Sequence, residues 1–285
     1  MKKGRASKTA EYVCMGRAIA HQLLSNEGFV DSTALLLLPD EAQREVRRIQ
    51  AGVPPVGIKA RMWHQYLLTQ AMMMAARTAW IDERIRAAGC PQLVILGAGL
   101  DGRAWRMPEL RDVSVFEVDH PDSQRDKRAR VANLSPMSCD IRFVPVDFEH
   151  DALAAALAAA GHDETRPTTW VWEGVIMYLT QADIEATLSV LQRRSASGSR
   201  LILAYHVPAL RLKVIGYLLR RIGEPLRSSF RPGQLRSLLR SYGFEVSVDE
   251  DLAEAGRALS PKVGRIAERV RHLHVASATR AAATS

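Results

Sequence analysis

Cysteine is scarce in this chain. Of 285 residues only Cys14, Cys90 and Cys139 are cysteines, widely spaced, with no Cys-x-x-Cys pair. That excludes a disulfide framework or a cysteine zinc site and suits the reducing cytoplasm. Long apolar runs are missing too. None approaches the roughly 18 residues of a membrane span. Met1-Lys2-Lys3 opens like a secretion signal, but Arg17 and His21 interrupt the apolar stretch that a signal needs. The reading is a soluble cytoplasmic protein with no membrane partner, no metal site and no internal repeats. Its 47% hydrophobic and 25% charged residues are enough to build an ordinary core.

Acidic residues are outnumbered, leaving a net charge of +8 and a pI near 9.7. The excess concentrates between Arg211 and Arg240, where Glu224 is the single acid among eight basic residues. Few aromatics and no nucleic-acid motif accompany it, so no nucleic-acid partner is read. Solvated arginine faces or a docking patch for an acidic partner both fit.

What the chain does have is a glycine loop. Gln92–Leu96 is a strand-like aliphatic run of the kind buried on both faces of a parallel sheet. It runs into Gly97-Ala98-Gly99-Leu100-Asp101-Gly102, which satisfies Gly-x-Gly-x-x-Gly. Asp119 follows where a second strand ends, at the place of a ribose-binding acid. NAD would need the glycines and a helix N-terminus for its pyrophosphate. S-adenosylmethionine carries no phosphate; it needs carboxylates for its amine and ribose and a cation for its carboxylate. Asp101 in the loop and Glu173 after Trp170-Val171-Trp172 favour the second cofactor.

The segments LGAGLDGRAWRM, VFEVDHP, FVPVDF and WVWEGVIMYLT resemble, in order, the motifs of the leucine carboxyl methyltransferase-like family. Within it they are similar to the bacterial branch of S-adenosylmethionine-dependent O-methyltransferases. SKTA, ARTAWID and GEPLRSSF fit as well, so the resemblance covers nearly the whole chain. It implies a class I methyltransferase fold: a Rossmann-like seven-stranded α/β sheet, mostly parallel, with one antiparallel strand near the C-terminus.

Taken in order, residues 1–90 read as a helical cover. Its helices begin at Ser7, after an Asp31-Ser32 cap (carrying Leu35–Leu38), at Pro39–Asp40 and at about Lys59, the last running to Ala88. Residues 91–205 alternate as βαβ units with strands at Val113–Val118, Arg142–Asp147, Thr169–Trp172 and Arg200–Tyr205. Thr180 and Asp183 form a capping box. Residues 206–232 interrupt the rhythm as an inserted helical flap, with Val214, Ile215, Tyr217, Leu218, Leu219 and Ile222 on one side and Arg220 and Arg221 projecting. Residues 233–280 return to the sheet in a single domain, with strands at Phe244–Val248 and His272–Ala278 and no element read between them. The alanine-rich tail reads as disordered.

Ligands of open α/β sheets sit at the carboxyl ends of the strands, which gathers Gly97, Ala98, Gly99, Asp101, Asp119, Asp147, Phe148 and Glu173 into one cofactor site. Asp119 would accept from ribose hydroxyls, with Glu117 a competitor; Asp147 from the adenine amine, with Phe148 against the ring. The resemblance implies that Arg77 and Glu173 lie around the methionine moiety, with Lys8 assisting. Each carboxylate could equally be a helix cap or ion-pair partner. Tyr178, Tyr205 and His206 follow strand ends and could face the acceptor, but no residue is assigned as catalytic. Gly102, where the family usually has threonine, and His64, where aromatics or acids are frequent, depart from the pattern. The expected function is methylation of a carboxylate or phenolic hydroxyl on a small molecule that is acidic or carrier-tethered. An NAD(P)-dependent oxidoreductase, a protein carboxyl methyltransferase and a non-catalytic binder remain alternatives.

Overall fold

The computed structural model describes residues 8–147, 152–209 and 226–281. Phe148, residues 210–225 with the apolar side of the flap and Arg220 and Arg221, Ser7 and the last four residues lie outside them.

Seven strands form one sheet in the order β3-β2-β1-β4-β5-β7-β6. They are β1 (Gln92–Leu96), β2 (Ser114–Asp119), β3 (Asp140–Pro145), β4 (Thr168–Trp172), β5 (Arg200–His206), β6 (Phe244–Asp251) and β7 (Leu273–Arg280). The first five pair in parallel, and β7 runs antiparallel between β5 and β6. Both central strands, β1 and β4, are buried along their whole length because helices cover both faces. From β1 the chain winds outward to β3, then returns to place β4 against the other edge of β1. That reversal opens a crevice above the carboxyl ends of β1 and β4, where open α/β sheets bind ligands.

Alternation along the strands sorts the core. Leu93, Ile95, Val171, Ile202 and Ala204 face one layer, made with α1 (Lys8–Leu24), α2 (Asp40–Gln50) and α3 (Ile58–Ala88). Val94, Leu96, Trp170, Trp172, Leu201 and Leu203 face the opposite layer, made with α6 (Leu153–Ala159), α7 (Gln181–Arg193) and α8 (Pro232–Ser241). Between them in sequence lie the single turn α4 (Arg103–Arg106) and α5 (Pro121–Val131). The capping box at Thr180 and Asp183 is present. No described helix is long and apolar enough to cross a membrane.

Three expectations need correction. Asp31 starts a turn, not a helix: Oδ1 accepts from Thr33 N, Thr33 Oγ1 and Ala34 N, while Oδ2 faces Arg17 and Arg106, and Pro39 opens the next helix two turns on. The third strand begins two residues early, leaving Asp147 beyond its end. Finally, β6 and β7 are joined by α9 (Leu252–Leu259) and α10 (Pro261–Ala267), absent from the sequence reading. Gly256 and Gly264 let them cross at backbone contact, since a Cβ on Gly256 would lie 3.2 Å from Gly264 Cα. Those glycines also break the periodicity by which helices are recognised.

Candidate functional site

Continuing the register one residue past Leu96↔Val118 and two residues past Ile95↔Val171 brings Asp119, Gly97 and Glu173 into a single row across β2, β1 and β4. All three fall on the face covered by α3. Gly97 must be glycine twice over: its φ is +68°, and a Cβ there would lie 2.2 Å from Val175 Cγ2. Gly97 N and Ala98 N both donate to Val118 O, at 2.8 and 3.0 Å, so the loop folds back over β2. Gly99 N donates to the Asp119 carboxylate, and His120 N donates to its other oxygen at 2.6 Å. Burial raises the Asp119 pKa, although these two N–H groups oppose the rise. Glu117, the competitor for the ribose role, is fully buried below the loop and paired with Lys127 at 2.6 Å.

Glu173 sits in a buried lattice of charge. Arg77 Nε donates to Glu173 Oε1 at 2.7 Å, and Arg103 Nη1 approaches Oε2 at 3.0 Å. Arg103 also binds Asp82 at 2.7 Å and Asp101 through both its side chain and its backbone N–H. Arg106 reaches Asp82 at 2.7 Å and Asp31 at 3.5 Å; Arg17 reaches Asp31 and donates to Leu100 O at 2.5 Å. Burial alone would raise the Asp31, Asp101 and Glu173 pKa values, but the surrounding guanidinium groups outweigh it and hold all three below the usual carboxylate range. The guanidiniums are left with surplus donors: Arg103 Nη2, Arg106 Nη2 and Arg17 Nε have no hydrogen-bond partner.

The other predicted residues are placed as follows. Lys8 opens α1, exposed and paired with Glu11 at 2.9 Å; two residues on, Ala10 packs where a Gly99 Cβ would come within 3.3 Å. Asp147 faces His120 Nε2 at 3.8 Å, so His120 stands between the acids that end β2 and follow β3. Tyr178 is half-buried in the turn after β4, where Arg227 N and Ser228 N donate to Met177 O and hold the described end of the GEPLRSSF segment, residues 226–230. Tyr205 and His206 are neighbours on β5 and point to opposite faces. His206 shares the face of Glu173. Tyr205 is turned to the other layer, with its hydroxyl on both oxygens of Asp249 at 2.9 Å. His64 lies on the outer half of α3 with its Nδ1 unpartnered. Sequence reasoning missed Arg103, Arg17 and Asp82. The signal was present for Arg103: an arginine two residues after the loop aspartate can return both backbone and side-chain donors to it.

The donor set suits S-adenosyl-L-methionine. Acids line the β2–β3 side, and cations with spare donors surround Glu173 at the β1–β4 crevice. Strand order, glycine loop and acid row define the class I methyltransferase architecture. The chain belongs to the leucine carboxyl methyltransferase family, whose profile matches residues 10–192. A Mycolicibacterium gilvum protein named "Putative S-adenosyl-L-methionine-dependent methyltransferase" is 38% identical over 197 residues, 67% of this chain and 63% of that protein. A Streptomyces coelicolor protein of the same description is 38% identical over 138 residues, 47% of this chain and 48% of its own. The chain thus spans less than two thirds of the length of these relatives. The crystal structure of a DUF574 family protein from Streptomyces avermitilis superposes with a TM-score of 0.60, covering 97% of this chain and 98% of that one at 13% identity. A methyltransferase-titled structure from Thermobifida fusca gives 0.54 over 93% and 94% at 14% identity. At such identities these structures speak for the fold alone.

Proposed function

We propose that the chain is an S-adenosyl-L-methionine-dependent O-methyltransferase whose acceptor is a carboxylate or phenolic hydroxyl of a small molecule. The observation that carries it is the row of Asp119, Gly97 and Glu173 at the β1–β4 crevice, with Arg77 on Glu173. Arg77 and the spare donors of Arg103 would grip the cofactor's carboxylate in the two-pronged manner of guanidinium groups. Glu173 would accept from its amine, Asp119 from its ribose and Asp147 from its adenine, with Lys8 and Ala10 closing α1 over the loop. Bound there, the cofactor supplies a methyl group already activated on a sulfonium, so the protein's tasks are orientation and exclusion of water. The family name supports a protein carboxyl group as a second reading of the acceptor. The concentration of arginine between 211 and 240 supports an acidic or carrier-tethered one, drawn in electrostatically. Titration calorimetry tests the cofactor: S-adenosylhomocysteine should bind in equimolar ratio and NADH should give no heat. Saturable NADH binding without S-adenosylhomocysteine binding would overturn the reading, and labelled methyl transfer to a panel of phenols and carboxylates then identifies the acceptor.

A further inference from the structure

The register carries the row of site residues onward. Trp172 pairs with Leu203, so Glu173 stands opposite Ala204, and His206 follows two residues later on the same face of β5. In the reading above, adenosine lies over β2 and β3 and methionine over β1 and β4. The next strand outward, β5, borders the place where the methyl group leaves. His206 is the ionisable side chain that strand presents there.

Its backbone is fixed while its ring is chemically free. Phe230 N donates to His206 O at 2.9 Å, and Val207 N donates to His272 O at 2.7 Å, anchoring the residue from both sides. The ring lies nearly parallel to that of His272, with centroids 5.4 Å apart and 17° between planes. Nδ1 is buried and has no hydrogen-bond partner. Buried polar atoms are rarely left so, because an unmet hydrogen bond in a dry site is costly. Burial, then the neighbouring His272 and Arg77, lowers the His206 pKa to about 4, which leaves the imidazole neutral at pH 7. Tyr205, by contrast, is committed to Asp249.

We propose that His206 is a catalytic residue of the transfer, its Nδ1 accepting the proton of an acceptor hydroxyl, and that the acceptor is a phenol or alcohol rather than a carboxylate. The inference rests on the methyltransferase reading. In the Nε2–H tautomer, Nδ1 takes the proton as the acceptor O–H bond breaks, and the oxygen lone pair forms the new O–CH3 bond. The S–CH3 bond breaks with its electron pair returning to sulfur. The imidazolium then releases its proton to water. A carboxylate, already ionised at neutral pH, has no proton to give and would leave such a base idle.

The test uses full-length protein with 15N-labelled histidine, saturated with S-adenosylhomocysteine, and two probes: phenol and benzoate. Long-range 1H–15N spectra, assigned by comparison with His206→Gln, should show the His206 Nδ1 resonance moving on addition of phenol and staying still with benzoate. His206→Gln should bind phenol about tenfold more weakly, as expected for a lost buried hydrogen bond, with its affinity for S-adenosylhomocysteine unchanged. A response to benzoate alone, no response to either probe, or unchanged phenol affinity in the variant would overturn the proposal while leaving the methyltransferase reading intact. Failure of the wild type to bind S-adenosylhomocysteine would overturn both. Should His206→Gln not fold, His206→Asn supplies the assignment and the affinity comparison instead.

Discussion

Arg77 Nε donates to Glu173 Oε1 at 2.7 Å across 96 residues of chain, tying the long helix α3 to the end of β4. The bond is one-sided in its consequences. Glu173 has a second partner in Arg103, whereas Glu173 is the carboxylate within ion-pair distance of Arg77 among the described residues.

Arg77→Ala should therefore be tolerated better than Glu173→Ala. The first leaves Glu173 paired; the second leaves two buried guanidiniums short of a partner, a loss of about 3–5 kcal/mol for a broken buried pair. Denaturant unfolding should rank the variants in that order. Calorimetry should find both at least tens of times weaker for S-adenosylhomocysteine, in line with roughly 2–5 kcal/mol for removing one side of a desolvated charged contact. Equal stability of the two variants would show that Arg103 does not share Glu173.

Gly102, a departure from the family pattern expected from the sequence, sits against the turn after Asp31. A Cβ on Gly102 would lie 2.0 Å from Thr33 Oγ1 and 3.4 Å from Leu37 Cδ1. Gly102→Thr should destabilise the protein by about 1–3 kcal/mol, the usual penalty of overpacking. Thr33→Ala should recover part of it, so a double-mutant cycle should show coupling of at least about 0.5 kcal/mol. Additive effects would mean that the turn after Asp31 yields freely.

Asp119 is a loop clamp as well as a proposed ribose acceptor. Asp119→Asn keeps the shape but removes the charge that receives Gly99 N–H and His120 N–H. Hydrogen bonds to charged groups contribute about 1.5–3 kcal/mol, so the variant should lose stability on that scale together with affinity for the cofactor. Amide hydrogen exchange at Gly99 should accelerate. Unchanged exchange there would rule out the clamp.

Acid should act on stability in two stages. His206 and His162 have pKa values lowered by burial to about 4, His162 also by Arg194. A depressed folded value means the unfolded chain takes up the proton first, so stability falls as pH drops from about 6.5, the free value, toward 4. Glu117, raised to about 7 mainly by burial, works the other way and loses its contribution as pH rises toward 7. The clean measurement is a difference: wild type should lose stability relative to His206→Gln between pH 6.5 and 4. Asp31, Asp101 and Glu173 follow, since their lowered values mean stability present above about pH 4 and lost as pH falls through the folded values. A pH-independent difference between wild type and variant would show that His206 titrates normally.

The fold was legible wherever one period ruled. β1, β2 and β4 are runs of aliphatic and aromatic residues punctuated by glycine or acid, and α3 is long enough for its pattern to survive interruptions. What escaped depends on distance in the chain. Nothing local to Arg17 announces that its guanidinium will meet Leu100 O, 83 residues away, and α9 and α10 hide behind glycines whose purpose appears only when the helices cross. Tyr205 and His206 look interchangeable as text, yet the pleat sends one to each face. Glu117 and Asp119 share a face and differ by burial, which no spacing rule reports.

The lattice around Arg103 also sets an order of assembly. Its partners are Asp82 on α3, Asp101 in the glycine loop and Glu173 just past β4, and its neighbour Arg106 bridges to the turn at Asp31, so the lattice is complete only once the end of β4 is in place. Contacts so distant in sequence close late and slowly. Until then Arg77 lacks its carboxylate and Arg103 the third of its own. A ligand that enters this lattice binds only the finished chain, and by mass action it pulls the last step of folding forward. On the proposed reading of the site, cofactor capture would thus stabilise the finished fold.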